Sequence, residues 1–230
     1  MAEKLAAVGT MTAGLSHEIR NPLNAAALQL SVLERRLLRL PRDAQPPLLE
    51  PLTVVKDEIR RLDHILEDFL QFARPREFVA RSVDVQSVVN RVLDLLGGEA
   101  ERRGIRLARD LEPVPPVAGD EERLRQVLVN LGLNALEAVK DGGSVRVSSR
   151  LAVSGEEEPS VEIVVDDDGP GVPPESRDRI FEPFFTTKAK GSGLGLSIVH
   201  AIVTQHGGRM RVETSPEGGA RFVVTLPRSR

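Results

Sequence analysis

A chain of 230 residues has room for one large domain or two smaller ones, and its 40% hydrophobic and 28% charged content is that of globular protein. A net charge of -3 excludes a general nucleic-acid surface, and the lack of cysteine excludes a disulfide framework, a thiolate zinc site and a cysteine nucleophile. No apolar run approaches the ~20 residues of a membrane span and no signal-peptide pattern is seen, so no membrane contact and a cytoplasmic location are expected.

The first 75 residues are strongly periodic. Leu15, Ile19, Leu23, Ala26, Leu30, Leu33 and Leu37 step by threes and fours, the spacing of one apolar helix face. A proline-bearing polar break over 41–47 follows, and the pattern resumes at Leu48, Leu52, Val55, Ile59, Leu62 and Leu66. This predicts a helical hairpin with coiled-coil-like seams. Two helices alone make a thin core, so a homodimer is expected, in which two hairpins pair as a four-helix bundle. The texture changes after Ala73, which divides the chain into domains 1–75 and 76–230.

Beyond that boundary β-like runs at 82–85, 105–109, 144–153, 161–165, 209–214 and 220–226 alternate with helical ones at 86–103, 121–140 and 194–206. Glycine turns such as Glu217-Gly218-Gly219 suggest antiparallel neighbours. The fold class is therefore α+β, a helical hairpin followed by an α/β sandwich. The acidic run 154–159 reads as a solvated hairpin loop.

His17 lies between seam positions Leu15 and Ile19 and projects from the wet face of the first helix. Glu18 is adjacent, Asn21 shares the face one turn on, and Pro22 removes a helix hydrogen bond there. A neutral imidazole is a competent nucleophile, and a nearby carboxylate can take the proton from its other nitrogen. His64 lies outside its own seam beside Asp63 and Glu67, so periodicity does not choose between the two histidines. His200 and His206, flanking the last helix, read as surface or packing residues.

The apolar stretch VLVNLGLNALEAV carries Asn130, Asn134 and Glu137 on one helical stripe. These side chains either satisfy neighbouring backbone or offer oxygens to Mg²⁺ and its phosphates. In VEIVVDDDGPG, strand parity turns Asp167 inward with Val161, Ile163 and Val165, where a lone carboxylate needs a donor. Asp166 and Asp168 read as solvated turn residues; the alternative, a metal-binding acidic cluster, has to contend with parity, which splits the three aspartates between faces. FEPFFTTK follows, a phenylalanine cluster that either staples the loop or anchors a lid, with Thr187 and Lys188 placed to reach a phosphate. Finally GSGLGLSIV sets Gly191, Gly193, Leu194 and Gly195 at the start of an apolar helix, where backbone N–H groups can meet an anion. It is neither a Walker A loop nor the dinucleotide fingerprint.

Taken in order, LSHEIRNPLN, the asparagine segment, DDGPG, FEPFFTTK and GSGLGLSIV resemble the H, N, first glycine, F and second glycine boxes of the two-component sensor histidine kinases, with wording similar to the nitrogen-regulator-like branch. The resemblance implies a dimerisation and phosphotransfer hairpin joined to a GHKL-type (Bergerat) ATP-binding domain, with ATP and Mg²⁺ as cofactors. It implies His17 as phosphoacceptor, Glu18 as general base, and Asn21 as a contact for γ-phosphate and for dephosphorylating the partner. It also implies Asn134 with Asn130 as Mg²⁺ ligands, Asp167 as the adenine-binding carboxylate, and Gly169 and Gly171 as shaping that pocket. Thr187, Lys188 and the 191–195 turn would frame the phosphates. The cation that many members carry after the second asparagine is replaced by Leu136, Glu137 and Ala138, so Lys188 or Lys190 would supply it. The implied partners are a second copy, a response-regulator receiver domain read by the face of Arg20, Asn24 and Leu28, and an upstream sensor domain or protein. The alternatives are a silent dimeric scaffold and a mechanical GHKL ATPase or anti-sigma-type serine kinase; neither accounts for both HEIRNPL and a complete set of glycine boxes.

Overall fold

The structure, a computed structural model, describes the backbone over 2–42, 44–73, 78–152, 159–188 and 191–229. Side chains are described over 19–42, 44–63, 65–66, 78–152, 159–188 and 191–229. The chain forms two compact units, Met1–Arg76 with Thr187–Ser192, and Glu77–Thr186 with Gly193–Arg230.

The first unit is the expected hairpin, of α1 (Ala2–Leu37) and α2 (Pro46–Ala73). Pro46 and Pro47 open α2, where their missing N–H groups cost nothing, so the helix starts ahead of the first seam leucine. Gln45 closes the turn, its Nε2 donating to the Leu38 and Leu40 carbonyls at 3.2 and 2.7 Å. Lys56 bridges to Glu34 at 2.6 Å, and Arg20 faces Asp63 at 3.7 Å. Of the described large apolar side chains in this unit, Leu52 is buried, while Leu33, Leu48, Val55 and Leu62 of the predicted seams are exposed. One chain leaves its own seam open.

The second unit is a sheet with helices on one face. Strands β2 (Arg106–Leu111), β4 (Ser144–Ala152), β5 (Ser160–Asp167), β7 (Ala220–Pro227) and β6 (Arg209–Thr214) lie in that order. Helices α3 (Val85–Arg102), α4 (Glu121–Ala138) and α5 (Gly195–Gln205) cover it, with α4 packed between the other two and over β5. Val161, Ile163, Val165, Phe222, Val224 and Leu226 form the sheet side of the core. Asp84 caps α3, accepting from the Gln86 and Ser87 N–H groups, and Asp120 caps α4 through the Arg123 N–H.

Three features differ from the sequence reading. Strands β2 and β4 run parallel, because the chain between them crosses over through α4. A separate antiparallel ribbon, β1 (Arg81–Val83) with β3 (Val117–Gly119), precedes α4. Asp166 is also not a solvated turn residue. It is 2% exposed within β5, under a bidentate hydrogen bond from Arg221 at 2.7 and 3.0 Å. Glu162 on the same sheet face is held by Arg150 and Arg211. Burial alone would raise its pKa, but the two guanidiniums outweigh burial and lower it. The predicted loop 154–159 falls mostly outside the described residues.

Candidate active site

The site in the second unit is built around the end of β5. Asp167 is 1% exposed, as its inward parity predicts. Its Oδ1 accepts from the Gly169 N–H at 2.9 Å and the Ala220 N–H at 3.1 Å. Its carbonyl accepts from Ser215 Oγ at 2.6 Å, and that hydroxyl in turn accepts from the Gly219 N–H at 3.0 Å. The donors the sequence demanded thus come from backbone and hold Oδ1. Burial raises the pKa of Asp167; the Ala220 and Gly169 N–H groups oppose this, and the charges of Asp168 and Asp166 add to it. Asp168 is itself engaged, accepting from the Ser144 N–H and hydroxyl at 2.8 and 3.1 Å.

The cradle is made of glycines. Gly171 takes φ +72° and would set a Cβ 3.2 Å from the Gly219 carbonyl oxygen. Gly219, with Ser215 and Ala220, escaped the sequence reading, which saw only a hairpin turn. A Cβ on Gly219 would lie 2.6 Å from Asp167 Oδ1 and closer still to its carbonyl oxygen. Gly219→Ala therefore has to displace Asp167. Overpacking of this kind costs about 1–3 kcal/mol. We expect a melting midpoint lowered by several degrees together with at least tenfold weaker nucleotide binding, read by thermal denaturation and titration calorimetry.

On α4, Asn130 and Asn134 are half-buried and Glu137 is exposed. Asn130 Nδ2 makes a long hydrogen bond, 3.5 Å, to the carbonyl of Gly195, the first residue of α5. Leu194, fully buried, precedes it and supplies no side-chain cap to the first turn of α5, the kind of helix start whose N–H groups suit an anion. The phenylalanines do not form one staple. Phe181 stacks on His200 with centroids 5.5 Å apart, Phe185 lies under Arg179, and Phe184 stands exposed with φ +67°. The Phe184 N–H donates to the Gly193 carbonyl at 3.0 Å, and a Cβ on Gly193 would come within 2.8 Å of the Phe184 carbonyl oxygen. Only glycine lets the two strands of this loop close here.

Asp167, Gly169, Gly171 and Gly219 are thus brought together, and so are Asn130 and Gly195. Thr187, Lys188 and Gly191 fall in the segment grouped with the first unit, where the Gly191 N–H donates to the Lys188 carbonyl at 3.2 Å. His17 and Glu18 lie on the helical backbone of α1, with their side chains outside the described residues; Asn21 is exposed on the same helix. Among the described residues no three His, Cys, Asp or Glu side chains form a metal cluster, and no helix is long and apolar enough to cross a membrane.

This combination defines a class: a nucleotide-type cradle on a helix-covered sheet, attached to a helical hairpin that carries a histidine. Residues 119–230 match the family described as histidine kinase-, DNA gyrase B- and HSP90-like ATPase, and residues 7–78 match the His Kinase A (phospho-acceptor) domain. The sensor histidine kinase ZraS of Escherichia coli (strain K12) is 36% identical over 226 residues, which cover 98% of this chain and 46% of that protein. Full-length ShkA in complex with AMPPNP superposes with a TM-score of 0.74 at 32% identity, covering 95% of this chain and 45% of that one. The catalytic domain of histidine kinase ThkA superposes with a TM-score of 0.55 at 30% identity, covering 66% of this chain and 98% of that one. ThkA in complex with the response regulator TrrA gives a TM-score of 0.67 at 28% identity, covering 99% of this chain and 64% of that one. The chain belongs to the two-component sensor histidine kinases, and it spans about half the length of the curated relatives it matches.

Proposed function

We propose that the chain is the core of a protein-histidine kinase that moves the γ-phosphoryl group of ATP onto His17 and passes it to an aspartate of a response-regulator receiver domain. The observation that carries this reading is the state of Asp167, buried at the end of β5, whose Oδ1 is tied by two backbone N–H groups and packed against Gly169 and Gly219. An acceptor so fixed suits the exocyclic amine of adenine. The domain limits 1–75 and 76–230 follow the same division of labour.

Asn134 and Asn130 carry the amide oxygens that would hold Mg²⁺ alongside phosphate oxygens, which suits a hard cation that takes few protein ligands. Mg²⁺ supplies charge neutralisation on the transferring group. Gly193, Leu194 and Gly195 lead into the first turn of α5, whose N–H groups would meet phosphate, with Thr187, Lys188 and Gly191 as further contacts, while Gly169 and Gly171 shape the base pocket. In the transfer, Nε2 of His17 bonds to the γ-phosphorus as the bond to the β–γ bridging oxygen breaks. ADP leaves with that electron pair, and Glu18 takes the Nδ1 proton. Asn21, exposed one turn along, is assigned to γ-phosphate contact and to hydrolysis of the partner's phosphoaspartate. The open apolar seam of the hairpin supports a homodimer, and the chain is assigned to the cytoplasm, with an upstream sensor domain or sensor protein supplying the signal. The short spacing between FEPFFTTK and GSGLGLSIV, together with the wording HEIRNPL, supports the nitrogen-regulator-like branch.

The test is chemical. With Mg²⁺ and γ-labelled ATP the protein is expected to acquire label that is acid-labile and base-stable, as a phosphoramidate is. Acid-stable label, or none, refutes the proposal.

A further inference from the structure

Helix α5 is bridged to α4 at both of its own ends, to the middle and to the N-cap of α4, which sets the two side by side in opposite directions. One bridge is Asn130 to Gly195, beside the glycine turn. The other is His206, the C-cap of α5. The N–H of Asp120, the N-cap of α4, donates to His206 Nε2 at 3.0 Å, and Nδ1 lies 2.8 Å from the Ile202 carbonyl. Both contacts are satisfied at once only by a neutral ring with its proton on Nδ1 and a lone pair on Nε2.

The ring is closed off from water. His206 is 4% exposed, and Phe78, where the chain enters this unit, meets it edge-on with centroids 4.8 Å apart. Gly119 of β3 approaches so nearly that a Cβ there would lie 2.6 Å from the imidazole Cδ2. Arg123 of α4 lies over the Phe78 ring at 5.9 Å and reaches Gln205 of α5. Four segments meet on one imidazole.

We infer that His206 is a positioning residue for the nucleotide site, holding as a neutral imidazole the α4–α5 spacing that Asn130, Asn134 and Gly195 need, and releasing it on protonation. The inference rests on the nucleotide reading of the site proposed above. A protonated ring turns a second N–H toward the Asp120 N–H, donor against donor, with no water to intervene. The positive end of the α4 dipole opposes the imidazolium as well.

Among the described residues, the charged groups facing the ring are Asp120 and Arg123, both on α4; Phe78 and Gly119 bring none. Burial lowers the pKa of His206, and Arg123 adds to that, while the hydrogen bond to the Ile202 carbonyl and the contacts with Asp120 pull the other way without cancelling it. The contribution of the bridge is therefore complete above the ordinary value of 6.5 and is lost as pH falls through the lowered folded value.

The experiment measures affinity of the full chain for AMPPNP with Mg²⁺ from about pH 7.5 down to about pH 5.5, the range in which histidine titrates. It compares the wild type with His206→Gln, which keeps a donor and an acceptor but does not titrate, and so carries the nucleotide's own titration as a baseline. Wild-type affinity should fall about three- to tenfold further than that baseline, the worth of one hydrogen bond. His206→Phe, which keeps an aromatic ring against Phe78 and loses both bonds, should bind more weakly at every pH. Parallel profiles for wild type and His206→Gln, or full-strength binding by His206→Phe, overturn the inference. A wild type that binds no analogue at any pH refutes the nucleotide reading instead. The bridge is then judged alone by ¹⁵N resonances of the wild-type imidazole and by exchange of the Asp120 amide. An Nδ1–H tautomer whose titration sets the exchange rate supports it, and an Nε2–H tautomer overturns it.

Discussion

His17→Gln is expected to bring the acid-labile label down to the level of protein never exposed to ATP. Glutamine keeps the length and polarity of the position but has no nucleophilic nitrogen, so no partial activity should survive. The nucleotide cradle lies in the other compact unit, around Asp167, and its affinity for ATP should be unchanged. His64→Gln is the matched control, since His64 stands beside Asp63 and Glu67 on α2 much as His17 stands beside Glu18 on α1. It should label as the wild type does. Label retained in the His17 variant would move the phosphoacceptor elsewhere. Mixing His17→Gln subunits with subunits defective in nucleotide binding then reads whether transfer runs within one chain or across the dimer.

The contest between the two histidines shows what periodicity can and cannot say. Spacing alone made both exposed, because a helix pattern reports only the side that is not the seam. The same pattern located α1 and α2 because both carry long uninterrupted apolar stripes. In the second unit, Asp167 was legible as inward because strand parity is local. Asp166 was not. Its face of β5 is covered by the long side chain of Arg221, reaching across from β7, and alternation in one strand carries no trace of that cover. The ribbon of β1 and β3 was missed in part for a similar reason: three residues are too few to show a period. Gly219 looked like any turn glycine, since its need for a missing Cβ comes from Asp167, 52 positions earlier in the chain. His206 likewise read as packing, and its role as a bridge depends on Asp120 and Phe78, which sequence spacing does not connect.

Asp167→Asn separates binding from folding more cleanly than any glycine variant. The amide Oδ1 can still accept from the Gly169 and Ala220 N–H groups, so the backbone of the cradle has no reason to move. What changes is the other atom, where an acceptor becomes an NH₂ donor that, in the proposed site, would meet the amine of adenine. Loss of a charge-assisted hydrogen bond plus a desolvated donor pair is worth about 3 kcal/mol, so ATP affinity should fall about a hundredfold or more. Stability should move the other way. The folded pKa of Asp167 is raised, chiefly by burial, so its contribution is fully present below the ordinary 3.8 and is lost as pH rises through the folded value. At neutral pH the carboxylate is thus a cost to the unliganded fold that asparagine removes, and the melting midpoint without nucleotide should be no lower than that of the wild type. Calorimetric titration and thermal denaturation of the same sample decide the matter. Unchanged ATP affinity would remove Asp167 from the base pocket, whereas a lowered midpoint would make its charge a structural requirement of the β5–β7 junction rather than a feature kept for the ligand.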